Sequence, residues 1–273
     1  MKIMQDSLIQ VLNWNVRNPG LARAKDQCLW LGQQNFDVII LTELKSSAGY
    51  TQLHDWLIDM GYSVFPSRSE PESGYRVLLG IRGMSARSTS LSCDVTSQRA
   101  VAAAFRAPLG DLRLLGLYVP SRGPAAGRNL KKREFQCQVA NTIRDLVSQS
   151  ELGNLLIAGD MNVVERGHIP RYAHFGEWEY AFYDLLAQSP LVDAFRHLHP
   201  SDREYSWIGH SGNGYRFDHF FISQGLLSYV KACFYIHDPR ELQLSDHSAM
   251  SLTLESLGTV TPGLRAVDSD SPA

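Results

Sequence analysis

The chain has 273 residues, 44% of them hydrophobic and 20% charged, with a formal net charge of −2. That is chain enough for one large domain or two small ones, and its near-balanced charge sets up no global cationic field of the kind that advertises a nucleic-acid binder. Cys28, Cys93, Cys137 and Cys233 never form a C-x-x-C pair, which leaves no zinc-site spacing and makes a disulfide framework an unsuitable reading for a chain of this size.

Met1 to Leu8 lack the basic start and apolar segment of a signal peptide, and no stretch approaches a membrane span, so the cytoplasm is the expected location. Leu8-Leu12 is a short apolar run ending in Asn13-Trp14-Asn15, with Asn18-Pro19-Gly20 as a turn. Leu21 to Asn35 is loosely helical. Asp37-Leu41 reads as a second buried strand that ends at Thr42-Glu43, and Leu53, Trp56, Leu57 and Met60 lie at helical spacing before Gly61. Short strands are expected at Ser63-Phe65, Val77-Ile81, Ala100-Phe105 and Leu112-Tyr118, and a long helix over Arg128-Ser150 with Phe135, Val139, Ile143 and Leu146 on one stripe. After a central strand at Leu155-Ala158 come a loop at Glu165-Phe175 and a helix at Glu177-Leu186. Strands follow near Tyr205-Ile208, Arg216-Ile222, Ala232-Ile236 and Ala249-Leu254. The elements alternate without a clean βαβ rhythm and strands outnumber helices, which favours an α/β (α+β) sandwich of two sheets with helices on the outer faces over a doubly wound parallel sheet. One domain over residues 1–257 is the simpler organisation, with 258–273 as a disordered tail.

Polar residues of chemical interest recur where the apolar runs end: Asn15, Glu43, Tyr118, then Asp160 and Asn162, with Asp218 inside Arg216-Ile222 and Asp246-His247 just before the last strand. Rigid strand ends hold catalytic groups at small cost to the core. If the strand continues across Gly159, period two puts Asp160 and Asn162 on one face; the plain alternative is an ordinary strand-to-turn transition. A carboxylate beside a carboxamide suits a hydrated divalent cation and an anionic substrate. Asp218 among Phe217, Phe220 and Phe221 needs a partner. That partner is Arg216 or a backbone N–H in one reading, and in the other His247, held in one tautomer as an oriented base.

Taken together, Asn13-Trp14-Asn15-Val16, Leu41-Thr42-Glu43, Gly116-Leu117-Tyr118-Val119-Pro120, Gly159-Asp160-Met161-Asn162-Val163, Leu191 to Pro200, Ser206-Trp207, Arg216-Phe217-Asp218-His219 and Ser245-Asp246-His247 form an ordered set. This set resembles the exonuclease III / apurinic–apyrimidinic endonuclease branch of the endonuclease–exonuclease–phosphatase (DNase I-like) superfamily. The resemblance covers about Leu8 to Leu254 and implies a DNase I-like four-layer sandwich, two packed mixed sheets flanked by helices. It also implies a Mg²⁺ or Mn²⁺ cofactor, with Glu43 as principal ligand and Asn15 and Asp246 nearby. Asp160 would position or deprotonate the attacking water, and Asn162 would donate to the transition state. His247, oriented by Asp218, would bind the scissile phosphate or act as base, and Tyr118 would contact phosphate or assist the leaving group. The physics agrees, since in-line attack on a phosphodiester needs a Lewis acid, an oriented water and donors for developing charge.

There are departures. Arg17 stands where many repair members carry Asp and could contact phosphate instead. Ser121 replaces an Asn or Gln, and the loop Glu165-Phe175 does not match, so the resemblance does not extend to abasic-site preference. The basic cluster Arg122, Arg128, Lys131, Lys132 and Arg133 could line a phosphate backbone or be a solvated helix start. Trp207 and Tyr75 could stack on a nucleotide or be core. The implied function is a Mg²⁺-dependent phosphodiesterase acting on DNA as an endonuclease or 3′-exonuclease, monomeric and without a membrane partner. The rivals are a phosphatase, phospholipase or RNA nuclease of the same superfamily, and a binding module that has lost catalysis. The latter would be expected to have lost Glu43, Asp160 or His247, and all are present.

Overall fold

The apolar runs become strands, and their period-two alternation decides the whole architecture. The computed structural model describes residues 8–68, 74–89 and 98–256. The first half runs β1 (Leu8–Asn15), α1 (Leu21–Gly32), β2 (Val38–Leu44), α2 (Ala48–Asp59), β3 (Tyr62–Pro66), β4 (Arg76–Arg82), β5 (Ala86–Ser88), β6 (Ala100–Ala107), β7 (Gly110–Tyr118) and α3 (Ala126–Ser148). The second half runs β8 (Leu155–Asp160), α4 (Glu177–Ala187), β9 (Leu191–Asp193), α5 (Ala194–Leu198), β10 (Trp207–Ile208), β11 (Gly214–Tyr215), β12 (Asp218–Ser223), β13 (Val230–Ile236), α6 (Asp238–Glu241) and β14 (Ala249–Glu255).

Two six-stranded sheets result, in the orders β13-β14-β1-β2-β4-β3 and β5-β6-β7-β8-β12-β9, with β10-β11 as a separate ribbon. Only β1–β2 and β7–β8 pair in parallel among the described strands. Parallel neighbours need a crossover, and α1 and α3 supply it. Each sheet therefore holds one βαβ unit, hidden in the sequence by the antiparallel strands around it.

Alternation then sorts the side chains. Val11, Ile40, Leu114, Leu156, Ala158, Phe220, Ile222 and Leu252 point between the sheets and form the central core. Their neighbours Leu12, Trp14, Ile39 and Leu41 face outward onto Ala24 and Leu31 of α1 and Leu53 and Leu57 of α2. On the other sheet Leu115, Leu117, Leu155, Ile157 and Phe221 pack against Phe135, Val139 and Ile143 of α3 and Phe182 and Leu186 of α4. Helix, sheet, sheet, helix is the four-layer sandwich expected from the sequence. Each fully buried aliphatic or Phe side chain contributes about 1.5–3 kcal/mol, so these stripes stabilise the fold and the strand ends are free to carry polar groups.

Elements too short to show a period were not foreseen: β5, β9, β11, α5 and α6. The tail expected from Gly258 and the position of Cys93 lie outside the described residues. Among the described residues no helix is long and apolar enough to cross a membrane.

Gly159 sits opposite Leu117 in the parallel β7–β8 pairing. Its φ is +147°, and a Cβ there would lie 1.8 Å from the Leu117 carbonyl oxygen. Backbone cannot yield as a side-chain tip can, so Gly159→Ala is expected to destabilise the protein by about 3 kcal/mol or more, read as a fall in the urea midpoint.

Candidate functional site

The inward stripes do not stop at the last apolar residue. Asn15 continues Ile9 and Val11 along β1, Tyr118 continues Leu112 and Leu114 along β7, and Asp160 continues Leu156 and Ala158 along β8. β12 runs antiparallel to β8, so its first residue, Asp218, arrives at the same end. Tyr118 pairs with Asp160 and Asp160 with Asp218, giving one polar row across the second sheet. Across the sandwich, β1 and β2 end in Asn15 and Glu43.

Asn15, fully buried, bridges the two sides. Its Nδ2 donates to Glu43 Oε2 at 2.9 Å and to Asp160 Oδ2 at 2.8 Å, while Oδ1 accepts the Arg17 N–H at 2.9 Å. A backbone N–H can only donate, so it fixes which end of the amide is oxygen. Asn15 thus turns nitrogen, not oxygen, toward Glu43; serving as a cation ligand would require the amide to turn over. Glu43 sits at an irregularity in β2 between Leu41 and Leu44, with φ +59°. Arg17, Asn18 and Asn162 also have positive φ, a conformation costing a side-chain-bearing residue roughly 1–2 kcal/mol. Such strain gathers at sites where position matters more than stability.

β8 ends at Asp160, so Asn162 reaches the cleft by a left-handed turn and not by strand periodicity. Its N–H donates to Asp160 Oδ1 at 2.8 Å and its side-chain amide to the Val119 carbonyl at 2.9 Å. Asp218 takes His247 as partner: Nδ1 and Oδ2 are 2.7 Å apart, and Asn13 Nδ2 donates to the other oxygen at 3.4 Å. Arg216, the competing partner, precedes β12 and turns to Asp193 at 2.8 Å and Glu165 at 3.1 Å. Ser206 Oγ accepts the Asp218 N–H at 3.1 Å, and Ser245 Oγ accepts the His247 N–H at 3.2 Å while donating to the Asn15 carbonyl.

Burial and the neighbouring charge of Asp218 push the Asp160 carboxyl up to about 7. Burial works against a charged His247, but the charge and hydrogen bond of Asp218 outweigh it and lift the imidazole to about 9. Tyr118 is pushed well above the ordinary phenol value by burial, then by Glu43 and Asp160. At neutral pH this leaves an imidazolium, a neutral phenol and a carboxylate poised to exchange a proton.

Ligand atoms of Glu43, Asp160 and His247 lie within 4.8 Å of one another. With His247 protonated, the donors that remain are carboxylate oxygens, the set a hard divalent cation prefers. Asp246 is beside them. Its Oδ2 accepts from Trp207 Nε1 at 3.1 Å and lies 3.7 Å from Arg17 Nε, whereas its buried Oδ1 has no hydrogen-bond partner among the described residues. An unpartnered buried carboxylate oxygen on a residue that lines the same cleft as Glu43 and Asp160 suits a cation. These residues suit a hard divalent cation, with carboxylate oxygens of Glu43 and Asp160 close together and Asp246 lining the same cleft.

A cleft of ≈ 1360 Å³ opens over Glu43, Tyr118, Asp160, Asn162, Asp246 and His247. Of the expected substrate contacts, Tyr75, Arg122, Arg128 and Trp207 line it, while Arg17 lines a smaller neighbouring hollow of ≈ 420 Å³ on the far side of Asp246. Tyr75 meets Tyr118 edge-on at 5.3 Å, and Lys45 lies 4.4 Å over its ring. Trp207 stacks on Phe217 at 5.9 Å. The basic cluster divides: Lys131 lines the cleft with Arg122 and Arg128, but Lys132 is wholly buried. Sequence reasoning also missed Arg99, which lies 4.6 Å over the Tyr118 ring and 4.9 Å over Tyr75 in the cleft wall. The one signal for it was a lone cation immediately before the apolar run of β6.

Residues 12–247 match the family described as the Endonuclease/Exonuclease/phosphatase family. Among solved structures, an AP endonuclease from Archaeoglobus fulgidus superposes with a TM-score of 0.74 at 18% identity, covering 91% of this chain and 100% of the other. A 3′ phosphatase from Neisseria bound to a product DNA hairpin gives 0.71 at 20% identity, with 91% and 100% covered. An AP endonuclease from Leishmania major gives 0.72 at 21%, with 91% and 88% covered.

The elevated imidazole rests on one carboxylate. Asp218→Asn is expected to lower the His247 pKa from about 9 to about 6.5 or below, because the opposing effect of burial remains once the negative charge is gone. An NMR titration of the His247 ring reads this directly, and an unchanged midpoint would refute the assignment.

Proposed function

The chain belongs to the endonuclease/exonuclease/phosphatase family, and from that premise we propose that it is a divalent-metal-dependent nuclease cleaving DNA by attack of water on a phosphodiester. The observation that carries the reading is the convergence of Glu43, Asp160 and His247 on one floor, with His247 held by Asp218. Around that floor the cleft is lined by both cations and aromatic rings, a combination suited to a nucleic-acid strand: cations meet phosphates and rings meet bases. DNA is favoured because the solved structures of like fold include AP endonucleases and a phosphatase bound to a DNA hairpin. Residues 1–257 are taken to act as a single domain and a monomer.

A bound Mg²⁺ or Mn²⁺ would polarise a phosphoryl oxygen and acidify a water. Glu43 and Asp246 would hold it, with Asn15 setting the spacing of Glu43 and Asp160. His247, cationic at neutral pH, binds a non-bridging phosphate oxygen through Nε2–H, since its other N–H is committed to Asp218. Asp160, raised to about 7, accepts the proton of the attacking water. Asn162 lines the cleft, and the amide that donates one hydrogen to Val119 keeps a second for charge developing on the phosphorus oxygens. Tyr118, kept neutral, donates its O–H to the phosphate or to the departing oxygen.

Glu43→Ala and His247→Ala are each expected to lower kcat/KM for nicking by roughly 10²–10³-fold or more while leaving the circular dichroism spectrum unchanged. EDTA should silence the wild type and added Mg²⁺ or Mn²⁺ restore it. Matched oligonucleotides (intact duplex, abasic duplex, single strand, 3′-phosphate-terminated and RNA) separate the substrate classes. Undiminished nicking by either variant would overturn the reading.

A further inference from the structure

Lys132 and Glu179 are both 0% exposed, on α3 and α4 respectively. Lys132 Nζ donates to Glu179 Oε1 and, at 2.8 Å, to the backbone carbonyl of Asn162. Glu179 Oε2 also accepts Arg122 Nη1 and the Gly176 N–H. Phe175 and Trp178 wall the ammonium at 5.9 and 5.7 Å from their ring centres. A buried ion pair is a poor way to join two helices, because well-packed apolar residues of similar volume hold them as firmly. Stability alone therefore gives no reason for the charge. What an apolar residue could not do is grip the carbonyl of residue 162.

That carbonyl belongs to a residue held from three sides. Its N–H is on Asp160 Oδ1, its side-chain amide is on Val119, and its backbone is left-handed at φ +49°. A strained turn persists only where its surroundings fix it. We propose that Lys132 is a positioning residue for the hydrolysis: its ammonium, charge-balanced by Glu179 and through it linked to Arg122 at the cleft, anchors the Asn162 carbonyl and so aims both the Asn162 amide and the Asp160 carboxylate. The proposal rests on the reading of this site as a phosphodiesterase.

The test is a mutant cycle. Lys132→Met/Glu179→Gln removes both charges and leaves no unpaired buried ion. On an oligonucleotide duplex with Mg²⁺ it should lower kcat by roughly 10- to 10²-fold with KM within about twofold. In an Asn162→Ala background the same pair should cost several-fold less than in the wild type, because the amide half of the effect is already gone and only the aim of Asp160 through the residue-162 backbone remains. Hydrogen exchange at the Asn162 backbone amide, measured without substrate, should rise by roughly tenfold. If the double variant does not fold, Lys132→Leu/Glu179→Gln, which likewise removes the ammonium and both charges, carries the same comparison. An unchanged kcat, or losses that multiply in the Asn162→Ala background, would reduce Lys132 to a structural role and overturn the proposal. If the wild type leaves every phosphodiester substrate intact, the functional reading falls instead. Asn162 exchange then decides the positioning claim alone, an increase supporting it and no change overturning it.

Discussion

Two carboxylates, Asp160 and Asp218, face each other in register on adjacent strands, each almost wholly buried. Two like charges at such close quarters in a poorly solvated place are not both tolerable without compensation. The surrounding residues read as the answer to that problem. Asp218 is neutralised by His247 and by the amide of Asn13. Among the described residues Asp160 has amides as its hydrogen-bond partners, those of Asn15 and Asn162, and no cationic side chain in hydrogen-bonding contact. The asymmetry separates the two chemically: one is locked as an anion that orients an imidazolium, and the other is left proton-hungry and open to a cation. The division of labour comes from placement, since the residue type is the same.

The scaffold that makes this placement reproducible is simple. Each sheet contains one parallel pair bridged by a helix, β1–α1–β2 and β7–α3–β8, and each pair ends in two of the groups that matter: Asn15 and Glu43, Tyr118 and Asp160. Facing the sheets together brings these ends into one crevice without distorting the packed interior. The backbone departs from comfort at Glu43 and Asn162, where the apolar stripes have already ended. Precision is thus concentrated where the core no longer needs regularity.

Much of this is legible in the sequence because strand ends advertise themselves. Glu43, Tyr118 and Asp160 stand at the end of runs of four or more mainly apolar residues, and Asp218 interrupts one. Alternation suggested that Asp160 and Asn162 share a face if the strand continued, but β8 ends at Asp160 and the turn that carries Asn162 follows from a backbone conformation that residue identity alone does not dictate. Lys132 was illegible for a different reason. It sits in a run of cations at the start of a helix, where one turn of the wheel separates a solvated ammonium from a buried one, and the glutamate that makes burial tolerable lies on another helix. Arg216 misled by proximity: two residues from Asp218 in sequence, it belongs to a network with Asp193, Glu165 and Tyr183.

The final strand, β14, is not an edge. It lies between β13 and β1, with Leu8 opposite Glu255, so the beginning and end of the described chain are hydrogen-bonded neighbours in the interior of a sheet. A chain emerging from the ribosome cannot complete that sheet until β14, which follows His247, has been synthesised. Contacts this distant in sequence form slowly, so the floor that depends on this sheet is completed late in folding.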